Sequence, residues 1–298
     1  MACAAQHEQM TQAKPTLYVV ATPIGNLQDV TLRALDTLRR VELIAAEDTR
    51  VTAKLLNHYG IVGKKLVPLH QHNEQRSAPA VIAALKAGMS VALTSDAGTP
   101  AFSDPGARLV EAVRVAGFPV VPIPGANAAA AALSASGIAQ THFLFYGFLP
   151  AKRAERLREI EALASAPWTL VFYEAPHRIV ESITDLAAKL GAARRIVIAR
   201  ELTKLFEAIH VCPLQEAALW MVADPDRMRG EFVLLVEGAP SDTDAVRTDA
   251  VRVLGILLEE LPVRQAAALA ARITGARKND LYARALKMKA TSPVSGQT

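Results

Sequence analysis

Short apolar runs punctuate this chain in two series, and polar turns follow most of them. The first series is LYVV, VELIAA, KLVPL, VALTS and PVVPI, each short and rich in β-branched residues, which predicts strands. Helically spaced stretches lie between them. From Val30, the sequence VTLRALDTL sets Leu32, Leu35 and Leu38 on one side of a helix, with Asn26 or Asp29 as its cap. Ser77 precedes a second helix, APAVIAALKAG, and Gly88 is placed to stop it. Strand alternating with helix predicts a largely parallel sheet covered on its faces.

The second series is FLFYGF, WTLVFYEA, RRIVIARE and GEFVLLVEG, with AKRAERLREIEALAS and HRIVESITDLAAKLG as intervening helices. Pro, Gly, Ala and Ser gather between Pro124 and Thr141 and mark the expected boundary between the series. Beyond Gly238, APSDTDA reads as a linker. Three short helices are then expected in DAVRVLGILLEEL, VRQAAALAARITG and KNDLYARALKMK, with Gly275 at a junction of the helix–turn–helix kind. No short internal repeat is evident. The organisation expected is a disordered tail over 1–15, an N-terminal α/β domain over 16–124, a C-terminal α/β domain over 125–239, and a linker with a basic helical module over 240–298.

Composition narrows this picture. At 51% apolar, the 298-residue chain can fill a large core, and wholesale disorder is excluded. No apolar run approaches the roughly 18–20 residues that span a bilayer. The opening MACAAQHEQMTQAKP lacks a basic segment followed by an apolar one, so it is not expected to be a secretory signal. Cys3 and Cys212 form no spaced pattern, which argues against a cysteine-type zinc site and for a reducing, cytoplasmic setting. The formal charge of +4 is unevenly placed: residues 262–298 hold seven Lys/Arg and one acidic residue. A basic end on a near-neutral body suggests a polyanionic partner.

Candidate chemistry gathers after the strands, where open parallel sheets bind ligands. ATPIGNL follows the first run, Glu47 to Arg50 (EDTR) the second, His70 to Glu74 (HQHNE) the third, Asp96 to Gly106 (DAGTPAFSDPG) the fourth, and PGANA the fifth. The long loop has glycines for close backbone approach and prolines for stiffness. Its charges are acidic, so it suits an uncharged or cationic ligand better than a triphosphate. His70 and His72 stand two apart, as metal ligands on a strand do. Only carboxylates accompany them, so no metal is expected, and a hydrogen-bonding or RNA-facing role is favoured. In the second series Tyr173, Glu174, His177 and Arg178 follow one strand, Arg200, Glu201 and Lys204 another, and Gly230 and Glu231 open the last.

In order, ATPIGNLQDVTLRAL, AAEDTR, LHQHNE, SDAGTPAFSDPG, PIPGANA, FLP, FYEAPHR, ARELTK and GEFVLLVEG resemble the motifs of the ribosomal-RNA branch of the tetrapyrrole-methylase-like superfamily, the class III S-adenosylmethionine (SAM) methyltransferases. The likeness runs from about Leu17 to Gly238, and the helical tail fits it too. It implies two α/β domains of the tetrapyrrole methylase type with SAM held between them, a small C-terminal helical module, and a homodimer. It implies methylation of a cytidine ribose 2′-hydroxyl in the decoding region of small-subunit (16S) ribosomal RNA.

Carried over by position, the SAM-facing residues are Pro23 and Gly25 in the first turn, and Asp96, Ala97, Gly98, Thr99 and Ser103 in the long loop. Gly125, Ala126 and Asn127 follow the fifth strand. Phe148, Tyr173, Ala199, Arg200 and Gly230 come from the second domain. The chain departs from the family pattern at Ala101–Asp104, where an aliphatic pair is commoner, and at Asn127, where serine is.

A ribose hydroxyl needs its proton removed, so a general base is expected among Glu47, Asp48, His72, Glu74 and Lys204, the lysine only if its pKa is lowered. Arg50 and Arg178 are expected to bind phosphate, as are Arg264, Arg272, Arg277, Lys278 and Arg284 of the module. Two other readings share these features: a tetrapyrrole C-methyltransferase of the same fold, and a non-catalytic RNA-binding assembly factor.

Overall fold

The computed structural model describes residues 14–70, 73–239 and 243–291, without the side chains of 75, 243–249, 287 and 289–291. Cys3, His72 and most of the expected tail lie outside the described residues, as do the side chains of Lys287 and Lys289. The described chain divides into two compact units. The larger runs to Leu163 and resumes over Thr169–Glu237; the smaller joins Ala164–Trp168 to the segment from Gly238 onward.

The larger unit holds two five-stranded sheets. The first comprises β1 (Leu17–Val20), β2 (Leu43–Ala46), β3 (Lys65–Pro68), β4 (Val91–Thr94) and β5 (Val120–Ile123). Its spatial order is β3-β2-β4-β1-β5 and every pairing is parallel. Parallel strands need helical crossovers, supplied here by α1 (Leu32–Arg40), α2 (Thr49–His58), α3 (Glu74–Lys86) and α4 (Ala107–Val115). Strand alternation divides the core between the two faces. Leu43 and Ala45 pack with Val81 and Leu85 of α3 and Leu109 of α4. Ile44 packs on the opposite face with Leu35 and Leu38 of α1 and Leu56 of α2.

Details differ from the expected pattern. Leu35 and Leu38 are buried, but Leu32, the first residue of α1, is 81% exposed. Thr31 caps α1 by accepting from Ala34 N at 3.1 Å, whereas Asn26 caps the single 3-10 turn over Leu27–Asp29. The helix α3 starts at Glu74, ahead of Ser77, and stops before Gly88 as expected.

From β5 the chain passes through α5 (Ala128–Ala135) to the second sheet: β6 (Phe143–Phe148), β7 (Thr169–Glu174), β8 (Arg195–Arg200), β9 (Ala208–Pro213) and β10 (Phe232–Val236). The order is β6-β7-β10-β8-β9. Only β6 and β7 run parallel; β10 is antiparallel to both its neighbours, and β9 to β8. The small side chains of α5 let it lie close on this sheet, with Ala129 and Ala132 against Val171, Val197, Val233 and Leu235. The remaining helices of this unit are α6 (Arg153–Ala162), α7 (Ile179–Leu190) and α8 (Leu214–Val222).

The smaller unit contains α9 (Thr243–Glu260), α10 (Val263–Thr274) and α11 (Lys278–Thr291). Its core is Ala250, Leu254, Ala266, Ala267, Ala270, Leu281 and Ala285. Arg264, Arg272, Arg277, Lys278 and Arg284 are all exposed. No described helix is long and apolar enough to cross a membrane.

Candidate active site

Because β1, β2, β4 and β5 are parallel, the segments that follow them meet at one rim of the first sheet. Two of these are joined by a short backbone bridge. Thr22 N donates to the Gly98 carbonyl at 2.8 Å, and Gly98 N donates back to the Thr22 carbonyl at 3.0 Å. Gly98 has φ +79°, and a Cβ there would approach Ile24 Cγ2 to 3.3 Å, so glycine is required. Thr99 Oγ1 donates to the Ala126 carbonyl at 3.2 Å, tying the long loop to the turn after β5. Asn127 caps α5, its Oδ1 accepting from Ala130 N at 3.1 Å. Asparagine caps a helix as well as serine does, so this departure from the family pattern preserves the local geometry.

The second sheet closes over this rim. A bulge between Phe145 and Gly147 bends β6. Gly147 has φ +83°, and a Cβ there would lie 2.8 Å from Ser103 Oγ, so its absence admits the long loop. Phe102 of that loop stacks on Phe145 with ring centroids 4.2 Å apart, and Phe145 meets Tyr173 edge-on at 5.0 Å. Tyr173 Oη accepts from Ala129 N at 3.3 Å. Ala101 and Ser103 adopt positive φ, the kind of backbone strain that surrounding contacts must hold and that clusters at functional sites.

Between the sheets lies a cavity of about 340 Å³, within the usual range for small-molecule sites. Of the residues expected to face a cofactor, Ala97, Gly98, Thr99, Ser103, Asn127, Phe148, Tyr173 and Ala199 line it. Cross-strand register accounts for one row of the wall: Val233 of β10 stands opposite Tyr173 on one side and Ala199 on the other. Pro23, Gly25, Asp96, Gly125, Ala126, Arg200 and Gly230 lie off the wall. Sequence reading missed Ile24, Phe102, Leu202 and Val233, which line it. All four are apolar, and nothing in the sequence marked them as wall residues.

Carboxylates crowd the rim. Glu47 Oε2 accepts from Asp96 N at 3.2 Å, and Asp96 Oδ1 accepts from Asp48 N at 2.9 Å. Asp48 is held down to about 2 by hydrogen bonds from Arg50, whose guanidinium folds back onto it at 2.6 Å. The other three shift the opposite way. Asp104, on the cavity wall, is pushed up to about 6 by burial first, then by the charges of Glu47 and Asp96. Burial likewise raises Glu47 and Asp96.

A carboxyl whose folded pKa exceeds its unfolded value near 3.9 binds its proton more tightly when folded, so ionising it opposes folding. Stability attributable to Asp104 is therefore present at acid pH and lost as pH rises from about 4 through about 6. Asp104→Asn is expected to raise the melting temperature of the cofactor-free protein at pH 7.5, with the gain shrinking towards pH 4.5. Calorimetry across that range checks it; a variant that melts below the wild type at pH 7.5 would contradict it.

The geometry revises four expectations. Glu74 is buried, and its Oε1 accepts from the backbone N–H groups of Gly106, Arg108 and Leu109 at 3.1, 2.7 and 3.0 Å. It holds the N-terminus of α4 and lies off the cavity wall. Lys204 Nζ donates to Glu201 at 2.8 Å and Glu231 at 2.9 Å. Burial alone would lower its pKa, but these hydrogen bonds and charges outweigh burial and raise it, the wrong direction for a base. Arg200 donates to the carbonyls of Asp226, Arg229 and Phe206, which fixes a loop. Arg178, with only 17% of its side chain exposed, donates to the Leu149 carbonyl at 2.7 Å and to Glu174 at 3.0 Å. Arg50 remains 85% exposed on the rim, and His70 is exposed beyond β3.

The family model for Tetrapyrrole (Corrin/Porphyrin) Methylases matches residues 16–218, which cover the first sheet and β6 to β9 of the second and end within α8. The chain belongs to this family. A second family model, the RsmI C-terminal HTH domain, matches residues 244–289 of the helical unit. Among curated relatives, the Ribosomal RNA small subunit methyltransferase I of Escherichia coli O157:H7 is 49% identical over 95% of this chain and 99% of its own. The protein of the same name from Pseudomonas aeruginosa is 50% identical over 93% and 99%. Two solved methylases share the fold: a uroporphyrin-III-C-methyltransferase from Thermus thermophilus (TM-score 0.54, 22% identity, 75% of this chain and 94% of that one) and the methyltransferase CobJ (0.57, 22%, 76% and 95%).

The methyl donor of these tetrapyrrole-type methylases is SAM, and the cleft fits it. Aromatic and aliphatic side chains suit an adenosine, the N–H groups of Ala97 and Thr99 that flank the bridge can offer hydrogen bonds, and the carboxylate-rich rim suits a sulfonium cation.

Proposed function

We propose that this chain transfers a methyl group from SAM to the ribose 2′-oxygen of a cytidine in the decoding region of small-subunit ribosomal RNA, acting in the cytoplasm as a homodimer. The observation that carries this reading is an acid-rimmed, aromatic-walled cleft in a chain about half identical, over nearly its whole length, to ribosomal RNA small subunit methyltransferases. The bound cofactor supplies an electrophilic methyl carbon on a positively charged sulfur. What remains for the protein is to bind, orient and exclude water.

Displacement at carbon needs oxygen, methyl and sulfur in line, so most of the acceleration comes from placement. Tyr173, Val233 and Ala199 form a flat floor on rigid strands, and the Thr22–Gly98 bridge fixes the long loop opposite. Phe148, 55% exposed at the cavity wall, is positioned to cover a bound nucleoside. The exposed Arg50 and the basic faces of α10 and α11 supply phosphate contacts.

The test offers radiolabelled SAM with small ribosomal subunits, with free 16S RNA, and with a porphyrinogen. Label in an alkali-resistant dinucleotide from RNA is the expected result, because 2′-O-methylation blocks alkaline cleavage. Label in the porphyrinogen alone would establish the tetrapyrrole alternative. RNA binding without any methyl transfer would establish the assembly-factor alternative.

A further inference from the structure

The cavity wall carries three carboxylates, and their partners differ. Glu174 accepts from Ser182 Oγ at 2.5 Å, from Arg178 at 3.0 Å and from Ala175 N at 2.8 Å. Glu231 is paired with Lys204 at 2.9 Å. Asp104 is different: among the described residues neither a cation nor a backbone N–H pairs with it, and the Ser95 hydroxyl beside it donates to the Ala97 and Gly98 carbonyls. The groups that face it are Ser95 and Asp96 beyond β4, Glu47 beyond β2, and the Tyr173 phenol of β7. None is basic. Among the described residues the wall has no histidine or lysine, and burial raises the Tyr173 phenol further from a useful range.

We propose that Asp104 is the general base of the methyl transfer, taking the proton of the acceptor hydroxyl; this rests on the ribose 2′-hydroxyl reading above. The hydroxyl oxygen forms its bond to the methyl carbon of the sulfonium donor. The carbon–sulfur bond breaks, its electron pair stays on sulfur as a neutral thioether, and the hydroxyl proton passes to an Asp104 carboxylate oxygen. On the wall, Asp104 has no ion pair among the described residues, whereas Glu174 is held by three donors and Glu231 Oε2 by Lys204. Burial first, and then the charges of Glu47 and Asp96, raise the basicity of Asp104 while leaving it ionised at neutral pH. Glu47 itself is off the wall and accepts from Asp96 N, so it acts on Asp104 by charge.

An alternative role for the same carboxylate is counter-ion to the sulfonium, and the test separates the two. Wild type, Asp104→Asn and Asp104→Glu are compared by single-turnover methylation of small subunits, and by calorimetric titration with SAM and with its neutral product S-adenosylhomocysteine. A base predicts a rate loss of roughly 10²- to 10⁴-fold in the asparagine variant, partial recovery in the glutamate variant, and loss of the acidic limb of the rate–pH profile. Binding of both ligands should stay within about threefold of wild type, since Glu47 and Asp96 remain to attract the cation. A single-turnover rate within about threefold of wild type overturns the assignment. So does a loss of SAM affinity as large as the rate loss with S-adenosylhomocysteine unaffected, which would make Asp104 a counter-ion. Wild-type label that is alkali-labile overturns the 2′-hydroxyl reading itself, and the base with it, whatever the variants do.

Discussion

Glu74→Ala is expected to destabilise the protein by about 3 kcal/mol, read as a loss of unfolding free energy in urea. One buried carboxylate oxygen serves three backbone donors at the start of α4. Hydrogen bonds to a charged group contribute roughly 1.5–3 kcal/mol each, and three that share one oxygen contribute less than three times that. Removing them also strands buried N–H groups at the positive end of a helix. Glu74→Gln keeps an acceptor and loses the charge, so it is expected to cost about 1–2 kcal/mol. Gly106 ends the loop that carries Ser103 and Asp104, so both variants should also weaken SAM binding, and excess SAM should restore part of the stability. The opposite pattern, wild-type stability in Glu74→Gln with single-turnover methylation down by roughly 10²-fold or more, would return Glu74 to a catalytic role.

Glu74 also shows what the sequence could and could not reveal. HQHNE follows an apolar run, and that position correctly put it at the rim. Whether a rim carboxylate faces the cavity or turns inward to cap the neighbouring helix depends on where α4 begins, and α4 belongs to a different crossover. The first sheet was legible because its strands are short apolar runs between helices, a pattern that parallel pairing imposes. In the second sheet β9 was missed. Its sequence AIHVCP mixes His210 with partly exposed Ile209 and Val211, as an edge strand with one neighbour permits.

Direction was hidden as well: β10 is apolar throughout, and nothing in FVLLV says that it runs against β7 and β8. The wall residues Ala97–Thr99 and Ser103 were reached through the family resemblance, carried over by position in the long loop. The apolar wall residues Phe102 and Leu202 read like core anywhere, because adenosine-binding surfaces and cores use the same side chains. Arg178 and Arg200 misled for a related reason. An arginine after a strand reads as a ligand contact, but its five donors are equally suited to internal acceptors: Arg200 ties together three loop carbonyls, and Arg178 holds the Leu149 carbonyl and Glu174.

Replacing Arg272, Arg277, Lys278 and Arg284 together by alanine is expected to weaken association with small-subunit RNA by roughly 10²- to 10³-fold near 0.15 M salt. These four residues are exposed on α10, on α11 and on the turn between them, in a unit whose core is made of alanines and leucines. Alanine is a strong helix former, so the unit should keep its fold. Each phosphate contact adds about 0.7–0.9 to the slope of log affinity against log salt, so losing four should flatten that slope by about 3. SAM affinity should stay at the wild-type value, since every residue of the cavity wall belongs to the larger unit. A salt slope equal to that of the wild type would mean that these charges do not meet phosphate, and that the basic end of the chain serves another partner. A flattened slope with unchanged SAM binding would separate the two tasks physically: the sheets hold the methyl donor, and the helices bring its polyanionic acceptor within reach.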